Sequence, residues 1–143
     1  MNSKYYTAER NIQIVIYLLK AHGIKRVIAS PGATDVSLVA SIQNDPYFEM
    51  YSCVDERSAA YMACGMVAEM KEPVVITCTG ATSSRNYMPG LTEAYYRQLP
   101  ILAITCCRSN VNVGHYVDQV TDRSNLPNDI ALESVYAQTI HSP

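Results

Sequence analysis

Residues 54–80 read VDERSAAYMACGMVAEMKEPVVITCTG, and this stretch decides the fold. Its second part, Pro73 to Thr79, is a continuous β-branched run without alternation of apolar and polar residues. Such a run is a strand buried on both faces. Its first part, Glu56 to Met70, is rich in Ala and Met, with small residues at Ala59, Ala60, Ala63 and Gly65, and predicts a helix. Working outward, the pattern repeats on both sides. Upstream, Thr7 can cap a helix whose apolar face is Ile12, Val15, Ile16 and Leu19 and which Gly23 closes. The short run Val27 to Ala29 then ends at the turn Ser30-Pro31-Gly32. Asp35 or Thr34 caps a helix over Val36 to Ile42, and Phe48 to Val54 reads as a strand. Downstream, a helix is expected from about Asn86 to Tyr96 and a strand from Pro100 to Cys106. Strands of this kind separated by helices imply an α/β, doubly wound, mostly parallel sheet with helices on both faces.

The 143 residues suffice for one domain, 1–143, with one core. Hydrophobic residues make up 48% and charged residues 17%, and Lys plus Arg number 11 against 13 for Asp plus Glu. No basic footprint favours nucleic acid. Apolar runs such as Val74–Ile76 and Ile101–Ile104 are far too short to span a membrane. The first residues lack the apolar core of a secretion signal, and the composition predicts a cytoplasmic protein. The five cysteines, Cys53, Cys64, Cys78, Cys106 and Cys107, form no C-x-x-C spacing and read as reduced thiols in apolar runs.

Ligands of doubly wound sheets gather at the carboxyl ends of the strands, where the strand order reverses. That rule nominates Ser30-Pro31-Gly32, Asp55-Glu56, the segment from Thr79 to Asn86, and the long polar stretch after Cys106. Neither G-x-G-x-x-G nor G-x-x-x-x-G-K-[ST] occurs, and neither do H-E-x-x-H or G-x-S-x-G, so dinucleotide, P-loop, zincin and esterase readings lack their fingerprints. Glu56 follows a strand and opens an apolar helix. It either complements the helix dipole beside Asp55 or is a carboxyl held in a crevice to give and take a proton. Spacing alone leaves both open.

Ser30-Pro31-Gly32, then Val54-Asp55-Glu56-Arg57-Ser58-Ala59-Ala60, then Pro73 to Gly80 with Asn86 following, occur in one order. Over roughly residues 8–120 this set resembles the N-terminal pyrimidine-binding domain of thiamine-diphosphate-dependent enzymes, in the acetolactate synthase, pyruvate decarboxylase and menaquinone-pathway synthase class. The last shares Asp-Glu-Arg-Ser-Ala. The resemblance implies a flavodoxin-like domain of a 2-oxo acid decarboxylase or carboligase. In it Glu56 hydrogen-bonds the aminopyrimidine ring and activates the cofactor. Pro31, Gly32, Thr79, Asn86 and Gln119 would border thiamine diphosphate, and Arg108 and His115 the substrate. The family's Thr-Ser-Gly becomes Thr79-Gly80-Ala81 here, which alters the backbone path. The menaquinone synthase follows Ser-Pro-Gly with Ser-Arg, where this chain has Ala33-Thr34; neither can grip a carboxylate in bidentate fashion, which points to another 2-oxo acid.

The family holds diphosphate and Mg2+ through a Gly-Asp-Gly signature in a second domain, and this chain has no Gly-Asp-Gly. The resemblance therefore implies a diphosphate-binding partner domain or subunit, with Ser142-Pro143 about where a linker would begin. It also implies a homodimer or higher oligomer. Eleven tyrosines and sparse charge suit such an interface. Two other readings share the fold: a non-catalytic binding or assembly module, and an unrelated flavodoxin-like domain with a different ligand.

Overall fold

The computed structural model describes residues 7–80, 82–107 and 126–137. The chain runs α1 (Arg10–Ala21), β1 (Arg26–Ser30), α2 (Val36–Gln43), β2 (Glu49–Ser52), α3 (Glu56–Met70), β3 (Val74–Thr79), α4 (Thr82–Asn86), α5 (Met88–Tyr96) and β4 (Ile101–Cys106). The strands form one sheet in the order β2-β1-β3-β4, and every pair is parallel. Arg26 stands opposite Glu49 on one side and Val74 on the other, and Val74 stands opposite Ile101.

The apolar runs are continuous because each face of the sheet has its own core. Val27 and Val75 pack with Ile16 and Leu19 of α1, Leu38 and Ile42 of α2, and Phe48. The alternate residues Ile28, Val74, Ile76 and Cys78 pack on the other face with Ala59, Ala60, Ala63 and Val67 of α3, and with Tyr87. Neighbouring residues of β1 and β3 thus enter opposite cores, and both faces of these two strands are buried. The edge strands β2 and β4 are more open, as Leu102 at 43% exposure illustrates. After β2 the chain crosses β1 to reach β3, so the strand order reverses between β1 and β3.

The ends of the elements refine several expectations. Gly23 closes α1 at φ +70°, its N–H donating to the carbonyl of Lys20 while that of Ile24 donates to Leu19. That pair of bonds is a Schellman closure. Thr7 does not cap α1, because the helix begins at Arg10 and the Thr7 hydroxyl accepts from the nearer N–H of Glu9. β2 ends at Ser52, and Val54 turns outward at 85% exposure. The helix expected from about Asn86 to Tyr96 is α5, which begins two residues later at Met88, and a separate short helix, α4, precedes it over Thr82–Asn86. Pro89 has no N–H for the carbonyl four residues back, and the Tyr87 side chain is drawn into the core at 1% exposure, so the chain breaks there and restarts at Met88.

The thiols are all free: Cys64 and Cys78 are buried, Cys53 and Cys106 half-buried, and Cys107 exposed, so the apolar-run reading fails for Cys107 alone. No helix among the described residues is long and apolar enough to cross a membrane.

Candidate functional site

Asp55 supplies the local logic at the end of β2. Its extended backbone precedes α3, and its Oδ1 accepts the Ser58 N–H at 2.7 Å. Hydrogen bonding from Ser58 holds the Asp55 carboxyl below its usual range. The capping role is therefore taken by Asp55, which frees Glu56 for other contacts. Glu56 is half-buried, and its Oε2 accepts a hydrogen bond from Asn86 Nδ2 at 3.2 Å, across 30 residues of chain. Asn86 is the last residue of α4 and not the cap of α5.

The approach of α5 to α3 makes this meeting possible. A Cβ on Gly90 would lie 2.5 Å from Ala60 Cβ and 3.1 Å from the Ala60 carbonyl carbon, so only glycine fits. The Cys64 thiol donates to the Gly90 carbonyl at 3.3 Å across the same seam. Beneath lies a floor of neutral groups. Ser30 Oγ donates to the Cys53 carbonyl at 2.7 Å, tying the ends of β1 and β2 together. The Tyr87 hydroxyl faces Cys78 and Ser30 and has no partner in hydrogen-bonding geometry among the described residues. Burial raises its proton affinity strongly and pushes the Cys78 thiol up to about 11.

The second pair is Gly32 with Thr79. A Cβ on Gly32 would come within 2.3 Å of Thr79 Cγ2, so the turn after β1 lies directly on the end of β3. The Thr79 hydroxyl pairs with Ser83 Oγ at 3.0 Å. Pro31 is exposed at the mouth of this turn. Thr34 Oγ1 donates to the Cys106 carbonyl at 2.6 Å, and the Asp35 carboxyl reaches back to the Gly32 N–H at 2.8 Å. Asp35 begins α2 as expected, yet it makes no side-chain cap to that helix.

Of the residues singled out in the sequence, the structure joins Glu56 to Asn86 and Gly32 to Thr79, both at the carboxyl edge of the sheet where the strand order reverses. Gln119, Arg108 and His115 lie outside the described residues, as does Ala81. Among the described residues no group of three or more His, Cys, Asp or Glu could hold a metal ion. Tyr87 and the backward-reaching Asp35 escaped the sequence reading. The proline two residues after Tyr87 was the available signal for the first, and nothing in the spacing marked the second.

Residues 10–126 match the family model described as thiamine pyrophosphate enzyme, N-terminal TPP binding domain. The chain is 32% identical over 130 residues to a 2-succinyl-5-enolpyruvyl-6-hydroxy-3-cyclohexene-1-carboxylate synthase of Bacteroides thetaiotaomicron, covering 91% of this chain and 23% of the synthase. It is 35% identical over 104 residues to the synthase of that name from Flavobacterium psychrophilum, covering 71% of this chain and 19% of that protein. The chain thus spans about a quarter of the length of the curated relatives it matches. Among solved structures, the benzoylformate decarboxylase of Polynucleobacter necessarius superposes with a TM-score of 0.71 at 19% identity, over 84% of this chain and 22% of the decarboxylase. At that identity the likeness is one of fold.

Proposed function

The chain belongs to the family of thiamine pyrophosphate enzyme N-terminal domains, and from that premise we propose that it is the pyrimidine-binding part of a 2-oxo acid decarboxylase or carboligase, with Glu56 activating the cofactor. The observation that carries this reading is the Asn86–Glu56 hydrogen bond at the switch-point edge. It fixes one oxygen of a half-buried carboxyl. An acceptor so held fits a protonated or protonatable ring nitrogen of an aminopyrimidine. Thiamine diphosphate, when bound, supplies an acidic thiazolium carbon and an electron sink for decarboxylation.

This chain's own residues would do four things. Glu56 exchanges a proton with the ring nitrogen, and Asn86 keeps the carboxyl aimed. Pro31 and Gly32 bring backbone close to the ring, and a side chain at Gly32 would push the turn off Thr79. Thr79, held by Ser83, backs that turn. In this reading Gln119 also borders the cofactor, and Arg108 and His115 border the substrate. On the same reading, diphosphate and Mg2+ fall to a partner domain or subunit. The exposed apolar residues Val54, Tyr61 and Met62 around the start of α3 support coverage of that edge in a dimer or higher oligomer.

The substrate is proposed as a 2-oxo acid other than that of the menaquinone synthase. Thr34 spends its hydroxyl on the Cys106 carbonyl and Ala33 has no polar group, so this pair offers nothing to a substrate carboxylate. The test is Glu56→Gln in the full-length protein. The variant keeps its fold, while proton exchange at C2 of bound thiamine diphosphate and turnover both fall on the order of a hundredfold or more. Undiminished exchange would refute the assignment and favour the binding-module reading.

A further inference from the structure

Asp35 is 1% exposed, a burial that carboxylates rarely accept without a cation. Its Oδ1 accepts the Gly32 N–H at 2.8 Å, and its own N–H points back to the Gly32 carbonyl at 3.4 Å. Its Oδ2 is buried without a hydrogen-bonding partner. No ion pair among the described residues includes it. Among the described residues, the titratable groups that face it are thiols: Cys106 at the end of β4 and Cys78 in β3. Both thiols are themselves pushed up by burial, to about 12 and about 11, so neither brings a charge at neutral pH. The Thr77 hydroxyl, fully buried and equally unpartnered, faces Cys106 in the same layer.

The turn that Asp35 holds is also pinned from above. Thr34 is bonded to the Cys106 carbonyl, and Gly32 lies on Thr79. We propose that Asp35 is a positioning residue of the cleft, holding the Pro31–Gly32 turn from beneath against the ends of β3 and β4. It does so as a neutral acid. Oδ1 accepts from Gly32 in either protonation state, more strongly when ionised, whereas a charge on the unpartnered Oδ2 would have no compensating partner among the described residues. Burial accordingly raises the proton affinity of this carboxyl, outweighing the Gly32 hydrogen bond that lowers it. The inference deepens the proposed function, resting on it for what the turn approaches, but not for how the turn is held.

A carboxyl bound to its proton more tightly in the folded state contributes its full stability below the unfolded value of about 3.9. That contribution is lost as pH rises through the folded midpoint. Asp35→Asn retains the Oδ1 acceptor and places a donor where the acid carries its proton; Asp35→Ala removes both. In the full-length protein, thermal unfolding is followed across this pH range. Hydrogen exchange of the peptide containing Gly32, and binding of thiamine diphosphate, are measured alongside. Asp35→Asn is expected to keep the wild-type protection at Gly32 and affinity within about twofold, and to gain stability relative to wild type as pH rises. Asp35→Ala is expected to lose roughly tenfold in both protection and affinity. An Asn variant that falls to the level of the Ala variant, or a wild-type-to-Asn difference that ignores pH, overturns the inference. Failure of the proposed function looks different. Wild-type protein would then bind no thiamine diphosphate, or Glu56→Gln would keep full exchange, while the pH-dependent difference and the protection at Gly32 still report on Asp35.

Discussion

Glu56 and Asn86 meet across 30 residues of chain, and neither has any reason of its own to be where it is. Asp55 takes the capping bond from Ser58, so the Glu56 side chain is not consumed by the helix it opens. Replacing Asn86 by Ala removes one neutral donor to a carboxylate at the rim of the cleft. The expected loss of stability is about 1 kcal/mol or less, while turnover of the full-length protein falls about tenfold as Glu56 loses its aim. Equal, large losses of folding and turnover would instead make Asn86 a structural residue. Gly32 obeys a stricter rule. A methyl group there would meet the β-branched Thr79 at 2.3 Å, and that short side chain cannot swing away. Gly32→Ala is expected to cost about 1–3 kcal/mol in denaturant unfolding through overpacking. The paired change Gly32→Ala with Thr79→Ser removes the clashing methyl and should recover most of the loss.

Helix α3 occupies the residues that the sequence predicted, because cap, small-residue face and length all point the same way. Helix α5 was legible to within two residues, but α4 was not expected as a helix. The apolar spacing continues through Tyr87, and only the burial of that ring together with Pro89 shows where the break falls. That break turns Asn86 toward α3. The contact between α3 and α5 is set by Gly90 on Ala60, so it controls the site from a distance. Gly90→Ala would remove a helix-disfavouring glycine, worth roughly 1 kcal/mol in an open helix. Here the new methyl meets a Cβ and backbone of the facing helix, and steric expulsion wins. Net destabilisation of about 1–3 kcal/mol is expected, with a parallel fall in turnover as the displaced α5 draws the adjoining end of α4, and Asn86 with it, away from α3. A stabilised variant would show that the two helices separate freely.

At the scale of the whole molecule, stability and site placement share one cause: a central strand pair buried on both faces. Ile76 in β3 is fully buried and supports the α3 side of the sheet, whereas Leu102 on the edge strand β4 is 43% exposed. Ile76→Ala is expected to cost about 2–5 kcal/mol and Leu102→Ala less than about 1 kcal/mol, both read from denaturant midpoints. Similar costs would contradict the two-core architecture. The α/β class, the alternation of elements and the nomination of strand ends were legible in the chain, since they depend on local pattern: β-branched runs, caps, and turns at Ser30-Pro31-Gly32 and Gly23. The ordered motifs around Glu56 carried the family, as the match over residues 10–126 bears out. Strand order, the Asn86–Glu56 bond, the Gly32–Thr79 contact and the backward reach of Asp35 came only with the tertiary structure. Local pattern says which residues seek burial or a turn, but not which distant residue fills the remaining space. That choice is made when helices close on both faces of the sheet and steric fit, down to a single missing Cβ at Gly32 or Gly90, selects the partners.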